Sequence, residues 1–159
     1  MGYAARTEVS STRSLEQIKR LLLSVGAKEI QTAERSEAAA IQFELTDRRV
    51  RFVLPLPRLD EFGTVKIGNR RRSRTSSQAL TAWEQATRAK WRALLACIKA
   101  KLVSAQSGIE TVEEAFLANI VTSDGSTVWQ DVVRKSADGY LSPPKGSQLT
   151  LPAAAGEGT

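Results

Sequence analysis

The sequence predicts an α+β fold in which a small antiparallel sheet packs on one long helix and two or three shorter helices. Residues 39–45 and 49–54 alternate between apolar and polar side chains on either side of a short turn, which is typical of a β-hairpin. Residues 77–106 keep their apolar side chains on one stripe at helical spacing. Because 159 residues suffice for one ordinary domain, we assign residues 1–138 to a single domain and residues 139–159 to a flexible tail.

The chain before the hairpin predicts two short strands with a helix between them. Residues 5–10 predict the first strand, and residues 29–33 predict the second. Ser14 and Gln17 form a Ser-x-x-Gln capping box for the helix, and Gly26 supplies its C-terminal stop. The helix itself is indicated by apolar residues at helical spacing, namely Leu15, Ile18, Leu21, Leu22 and Val25.

The predicted hairpin has one apolar and one polar face, because successive side chains of a strand point to opposite sides. Its turn lies at residues 46–48, and Pro55 and Pro57 end the pairing since proline cannot donate to a strand ladder. The polar face carries Arg49 and Arg51, which are candidate phosphate contacts. The apolar face consists of Ile41, Phe43, Leu45, Val50, Phe52 and Leu54.

Residues 58–78 predict a basic loop or mobile arm, because they include Gly63 and Gly68 and contain little that a core could bury. Four arginines in five positions stand here without an acidic neighbour, which exceeds what solubility requires. We interpret them as phosphate contacts, with a merely solvated loop as the alternative. These residues are Arg70, Arg71, Arg72 and Arg74.

The long helix is predicted at residues 77–106, with Thr75 and Gln78 at its N-terminal cap and Gly108 beyond its C-terminal end. Its apolar stripe should meet the apolar face of the hairpin. The stripe consists of Leu80, Trp83, Thr87, Trp91, Leu94, Ile98 and Leu102.

Two other sides of this helix carry different residue types. Arg88, Arg92 and Lys99 line one flank of the stripe and add to the candidate phosphate contacts. A row of alanines on the back indicates either close approach of a second helix or subunit, or only a high helix propensity. Cys97, beside this row, is interpreted as a small packed residue. The alanine row consists of Ala82, Ala89, Ala93, Ala96 and Ala100.

Three short elements are predicted after the long helix. Thr111 begins a third helix, because Thr-Val-Glu-Glu is a good capping box. A tight turn at Asp124 and Gly125 lies within residues 121–128, and residues 129–135 form a last short helix. The following tail is rich in serine, proline and glycine, which is typical of linkers.

Positive charge is concentrated in the middle of the chain. Of the 23 basic and 17 acidic residues, 14 basic and 4 acidic ones lie in residues 46–101. Residues 1–45 hold six of each, and residues 102–159 hold three basic and seven acidic ones. Such a surface attracts polyanions, and nucleic acid is the usual one because each neutralised phosphate releases counterions.

The residue types present argue against catalysis. The chain has no histidine and therefore lacks the commonest general base and metal ligand. A single cysteine excludes an internal disulfide and a thiolate metal cluster, which favours the cytoplasm. Its glycines form no phosphate-cradling loop. We expect no enzyme activity, no cofactor and no metal site, and no signal peptide or stretch apolar enough for a membrane.

Several stretches carry a resemblance to known proteins: RVRFVLPLP at 49–57, WRALL at 91–95, IKAKL at 98–102, GIETVEEAFLA at 108–118, and Asp124-Gly125. Together, over residues 40–130, they resemble a family of small uncharacterised proteins of bacteriophages and prophages. The resemblance implies a viral setting in the cytoplasm of a bacterial host, and it supplies no site residues. The order of elements is also similar to the fold plan of phage single-strand annealing proteins.

These observations together predict a nucleic-acid-binding accessory protein of phage replication or recombination, which prefers single-stranded DNA. A homo-oligomer is one alternative for its assembly. Trp83 and Trp91 could stack on bases, but their place on the apolar stripe favours core packing. The predicted contacts are Arg49, Arg51, Arg70, Arg71, Arg72, Arg74, Arg88, Arg92 and Lys99.

Two alternatives belong to other classes. The first is a phage inhibitor or adaptor that binds a host defence or transcription enzyme, with the basic surface meeting an acidic partner. The second is a structural virion or assembly protein.

Overall fold

The computed structural model describes residues 3–136 and Leu141, so that the predicted tail at 139–159 lies outside the described residues except for Leu141. Within this part, four α-helices accompany a three-stranded antiparallel sheet and a separate two-stranded sheet, which confirms the α+β class. The helices are α1 (Tyr3–Ser24), α2 (Ser76–Gln106), α3 (Val112–Phe116) and α4 (Val128–Lys135). The strands are β1 (Lys28–Arg35), β2 (Ala38–Leu45), β3 (Arg48–Pro55), β4 (Thr64–Ile67) and β5 (Arg70–Ser73).

The larger sheet has the strand order β1-β2-β3, and the predicted hairpin forms its β2 and β3 strands. Ile41 lies opposite Phe52, and Phe43 lies opposite Val50. The turn residues Thr46 and Asp47 have φ angles of 50° and 57°, as a two-residue type I′ turn requires. The strand predicted at residues 29–33 is confirmed as part of β1.

The buried side of this sheet packs against the helices in one continuous hydrophobic core. Every residue predicted for the apolar face of the hairpin is buried. The Phe116 ring of α3 meets the rings of Phe43 and Phe52 edge-on, at centroid distances of 6.1 and 6.2 Å. Helix α1 contributes Ile18 and Leu22, and α2 contributes Trp91, Leu94, Ile98 and Leu102. The predicted contact between the helix stripe and the hairpin is therefore confirmed at the core.

The N-terminal strand predicted at residues 5–10 is wrong, since α1 begins at Tyr3 and continues to Ser24. Ser14 consequently lies inside the helix and is buried there, and it does not cap the N-terminus. Once a helix is nucleated by its packed face, adding residues costs little, so it extends beyond its apolar pattern. Gly26 ends the helix as predicted, with a φ of 84°.

The basic loop predicted at residues 58–78 is wrong in its local structure. A 3₁₀ turn at Leu59–Phe62 precedes the antiparallel pair β4 and β5. Gly68 and Asn69 connect the two strands, and Gly68 has a φ of 59°. Positive φ at the first central position matches the type II′ turn of two-residue hairpins. We refer to residues 64–73 as the basic hairpin.

The remaining predictions for helices are confirmed. Thr75 and Gln78 form a complete capping box at the start of α2, and Thr111 and Glu114 form one at the start of α3. Helix α4 follows the predicted turn, which a single bridge between Val121 and Thr127 closes. In residues 3–136, no helix combines the length and the apolar composition that crossing a bilayer would require.

Candidate nucleic-acid interface

The basic hairpin presents cations on both of its faces. Every residue from 66 to 73 is exposed, and Val65 is half-buried. Arg70 lies opposite Ile67 and Arg72 lies opposite Val65, while Arg71 lies opposite Lys66. Because cross-strand partners share a face and successive residues alternate, Arg70 and Arg72 point to one side, and Lys66 and Arg71 point to the other.

The cations of the hairpin are not neutralised within the described part of the chain. Lys66, Arg70, Arg71 and Arg72 take part in none of the ion pairs found there. Between Glu61 and Glu84 the sequence contains no carboxylate at all. An uncompensated cluster of this kind keeps its full attraction for an external anion.

Two of the acidic residues that precede the hairpin, Glu37 and Asp60, are engaged by a different arginine, whereas the exposed Glu61 takes part in none of the ion pairs of the described residues. Arg58 lies 3.3 Å from a Glu37 carboxylate oxygen and 2.8 Å from one of Asp60. The hydrogen bond from Arg58 holds the pKa of the Asp60 carboxyl below its ordinary value, and the same bond raises the pKa of Arg58. Two carboxylates near the base of the hairpin therefore already have a cationic partner.

The base of the hairpin is closed by Arg74, and the segment before it is tied to α2. The backbone N–H of Arg74 donates to the Gly63 carbonyl at 2.9 Å, and the Arg74 guanidinium donates to the Phe62 carbonyl at 3.5 Å. Trp83 Nε1 donates to the Pro57 carbonyl at 2.7 Å, which ties the preceding segment to the helix. Arg74 is thus half-buried and directed at backbone, unlike the exposed Arg70, Arg71 and Arg72.

The two arginines of the larger sheet have partners within the protein. Both lie on the side of the sheet that faces away from the core and therefore away from α2. Arg49 forms an ion pair with Glu29 at 3.4 Å. Arg51 donates from Nε and Nη2 to the Gln42 side-chain oxygen at 3.0 and 2.9 Å, and from Nη1 to the Gly125 carbonyl at 2.9 Å.

The surroundings of Arg49 carry both signs of charge. A shallow depression beside it is also lined by Glu44, Asp47 and Glu113, and Glu113 lies 3.8 Å from the Arg48 guanidinium. Anions meet less net attraction over such a mixed surface than over the basic hairpin. Arg49 and Arg51 thus differ from the cations of the hairpin in their electrostatic environment.

The three candidate cations of α2 lie on one flank of the helix. Arg92 and Lys99 are exposed and Arg88 is half-buried, and within the described residues none of them forms an ion pair. At 1.5 Å per residue they span roughly 16 Å along the axis. Lys101, on the opposite flank, donates to the Ala115 carbonyl at 2.6 Å, so α3 covers that side. The flank with Arg88, Arg92 and Lys99 is the one away from α3.

The predicted core packing is confirmed for Trp91, whereas Trp83 is half-buried outside the core cluster and the predicted packing of Cys97 is wrong. Trp91 is 2% exposed, and the indole N–H of the part-buried Trp83 is taken by the Pro57 carbonyl. Cys97 is exposed, because it lies on the solvent side of α2 together with most of the alanine row. The exposed members of this row are Ala89, Ala93, Ala96 and Ala100.

Sequence reasoning missed Lys66 as a member of the cluster. Thr64, Val65 and Ile67 are β-branched and alternate around Lys66, and the following Gly-Asn pair is a known signal for a two-residue hairpin. That pattern could have predicted β4 and β5, together with the pairing of Lys66 and Arg71.

No protein-family model, curated protein or solved structure matches this chain. The resemblance to a phage and prophage family therefore stays a prediction.

Proposed function

We propose that this protein binds nucleic acid through the basic hairpin. The observation that carries the proposal is the exposure of Lys66, Arg70, Arg71 and Arg72 on one short two-stranded element, where the described residues provide no carboxylate partner. Contact with phosphates would supply those partners and release counterions, which gives affinity without sequence reading.

The arrangement supports binding better than catalysis. Arginine and lysine neutralise phosphates, but neither has an ordinary pKa near neutrality, so they are poor general bases. The absence of histidine from the chain points the same way. The role in phage replication or recombination, and the preference for single strands, remain predictions from the sequence.

The proposal is tested by titrating the protein against fluorescent DNA over a series of salt concentrations. The triple variant Arg70→Ala, Arg71→Ala, Arg72→Ala should flatten the slope of log affinity against log salt by about 2.7, since each phosphate contact contributes about 0.9 on duplex DNA. These side chains are exposed, and we therefore expect the variant to keep the wild-type circular dichroism spectrum and unfolding midpoint.

A charge-matched control separates a local site from general attraction. Arg13, Lys28 and Arg35 are exposed and form no ion pair among the described residues, so replacing all three by alanine removes the same charge elsewhere. We expect this control to retain most of the wild-type slope. Equal salt slopes for the two triple variants would show that the hairpin is not the binding site. A wild-type protein that binds neither DNA nor RNA would refute nucleic-acid binding itself.

A third triple variant, titrated in the same way, measures whether the interface extends from the hairpin to α2. Replacing Arg88, Arg92 and Lys99 by alanine removes the cations on the flank of α2 that faces away from α3. A flatter salt slope would place this flank in the same interface, and an unchanged slope would confine the interface to the hairpin.

A further inference from the structure

The two-sided distribution of charge on the basic hairpin restricts the shape of its target. Arg70 and Arg72 lie on one face, and Lys66 and Arg71 lie on the other. A flat acidic surface can approach only one face of a ribbon at a time, and would leave the cations of the other face in solvent. A groove with negative charge along both walls meets both faces simultaneously.

The dimensions of the hairpin fit one kind of nucleic-acid groove. Strands of four residues extend about 13 Å, and a sheet with its side chains is about 10 Å thick from face to face, which is the dimension that spans the groove when the two faces point at its walls. The major groove of B-form DNA is about 12 Å wide and about 8.5 Å deep, which admits a two-stranded ribbon, whereas its minor groove is only about 6 Å wide. The major groove of duplex RNA is too narrow and deep for side chains to read.

The tip of the hairpin is small enough to approach base edges. Gly68 has no side chain, so Asn69 carries the only side chain of the two-residue turn. The turn of Gly68 and Asn69 therefore adds little bulk beyond the two strands.

The hairpin lacks the aromatic platform on which single-stranded binders stack bases. Among the described residues, Trp91 is buried and Trp83 is half-buried with its N–H occupied. Phe62, at the base, is half-buried. Trp129 is 54% exposed, but it lies on α4, in a turn that also carries Asp131 and is stabilised by Asp124.

We infer that the basic hairpin enters the major groove of B-form DNA tip first, with its two faces directed at the two phosphate walls. Arg70 and Arg72 contact one sugar–phosphate backbone, and Lys66 and Arg71 contact the other. This inference rests on the proposed function and goes beyond it, because it selects duplex DNA in place of the single strands that the sequence favoured.

Two matched double variants test the two-walled contact. Arg70→Ala with Arg72→Ala removes two cations from one face, and Lys66→Ala with Arg71→Ala removes two from the other. In titrations of a 20-base-pair duplex (a probe length of about two helical turns), each double variant should flatten the salt slope by about 1.8. A slope that changes for only one of the two variants would overturn the two-walled contact.

The nucleic-acid preference and the groove are measured separately. At one salt concentration, we expect the DNA duplex to bind about tenfold or more tightly than a single strand or an RNA duplex of the same sequence, as the groove dimensions require. On the DNA duplex, the protein should protect guanine N7, which lies in the major groove, from dimethyl sulfate, and leave adenine N3 of the minor groove reactive.

The outcomes distinguish this inference from the proposed function. Equal or tighter binding of the single strand or the RNA duplex, or protection of adenine N3 alone, overturns the major-groove inference while nucleic-acid binding stands. Failure of the wild-type protein to bind any of the three probes overturns both.

Discussion

The Arg51 guanidinium donates a hydrogen bond of 2.9 Å to the carbonyl oxygen of Gly125, a residue 74 positions further along the chain. The same side chain also binds the Gln42 side-chain oxygen twice. Arg51 thereby joins the outer side of the larger sheet to the turn that precedes α4. Arg51, a phosphate contact predicted from the sequence, thus has hydrogen-bond partners within the fold.

Replacing Arg51 should affect stability and leave nucleic-acid binding unchanged. We expect Arg51→Ala to lower the free energy of unfolding by about 1 to 2 kcal/mol, because it removes charge-assisted hydrogen bonds to Gln42 and Gly125. Urea unfolding measures the free energy of unfolding, and the DNA titrations over the salt series measure nucleic-acid binding.

The matched variant Arg71→Ala should show the opposite pattern, since Arg71 is exposed. It should retain the wild-type stability and flatten the salt slope by about 0.9. If Arg51→Ala flattened the slope of log affinity against log salt at unchanged stability, Arg51 would be a phosphate contact.

Replacing Thr87 by valine should stabilise the protein. Thr87 Oγ1 and Trp91 Nε1, one turn apart on α2, are buried without a hydrogen-bond partner among the described residues. A buried hydroxyl without a partner costs free energy, and valine has nearly the same shape. We expect Thr87→Val to raise the free energy of unfolding by about 1 kcal/mol.

The control for this variant is Thr81→Val. Thr81 is exposed, and its hydroxyl donates to the Ser77 carbonyl at 3.1 Å. Substitution there should change stability by less than about 0.5 kcal/mol. A loss of stability in Thr87→Val would instead mean that its hydroxyl makes a hydrogen bond in solution.

Acidification should weaken the turn before α4. Hydrogen bonds from Ser126 and Thr122 hold the pKa of the Asp124 carboxyl well below its ordinary value. The lowered pKa means that folding favours the ionised form, so its contribution is complete above the ordinary pKa and is lost as pH falls below about 4. The free energy of unfolding of the wild type should therefore fall relative to that of Asp124→Asn between pH 5 and pH 2. The slope of this difference should correspond to the uptake of about one proton on unfolding.

Urea unfolding midpoints across this pH range provide the measurement. Glu34→Gln is the charge-matched control, because Glu34 is exposed and forms no ion pair within the described part of the chain. A gap between wild type and Asp124→Asn that stays constant throughout would contradict the stabilising role of the ionised Asp124.

The thiol of Cys97 should react in the native state. It is exposed on the side of α2 that carries the alanine row. We expect a disulfide reagent such as Ellman's reagent to modify the native protein at a rate close to that of the unfolded chain, and to leave Cys97→Ser unmodified. Protection that disappears on dilution, together with a larger mass in solution, would show that a second copy covers this side of the helix.

Local patterns predicted the hairpin of β2 and β3 and the long helix α2 correctly. Alternation and the 3.6-residue period directly reflect which side chains are buried, and Thr75 and Gln78 mark the start of α2 through contacts within one turn. The strand predicted at residues 5–10 was wrong, because α1 continues through these residues to Tyr3. The prediction of a loop also failed at residues 64–73, where a run of arginines obscured a short alternating pattern.

The sequence predicted which residue types form the candidate site, but not which individual residues belong to it. Arg51 and Arg71 are chemically identical, and each lies in a strand of an antiparallel hairpin. What separates them is the presence of Gln42 and Gly125 near Arg51. The segment after α3 brings Gly125 there, because Ile120 forms a bridge with Val50 and the Val121 N–H donates to the Arg49 carbonyl.

By itself the sequence determined the α+β class, the apolar faces of the hairpin and of α2, and the excess of positive charge in residues 46–101. These properties depend on residue type and spacing, which act over a few neighbouring positions. Only the tertiary structure decided which cations are engaged within the protein and which face solvent. That outcome depends on partners supplied by distant segments, since a guanidinium is satisfied by whichever carbonyl or carboxylate the fold brings within about 3 Å.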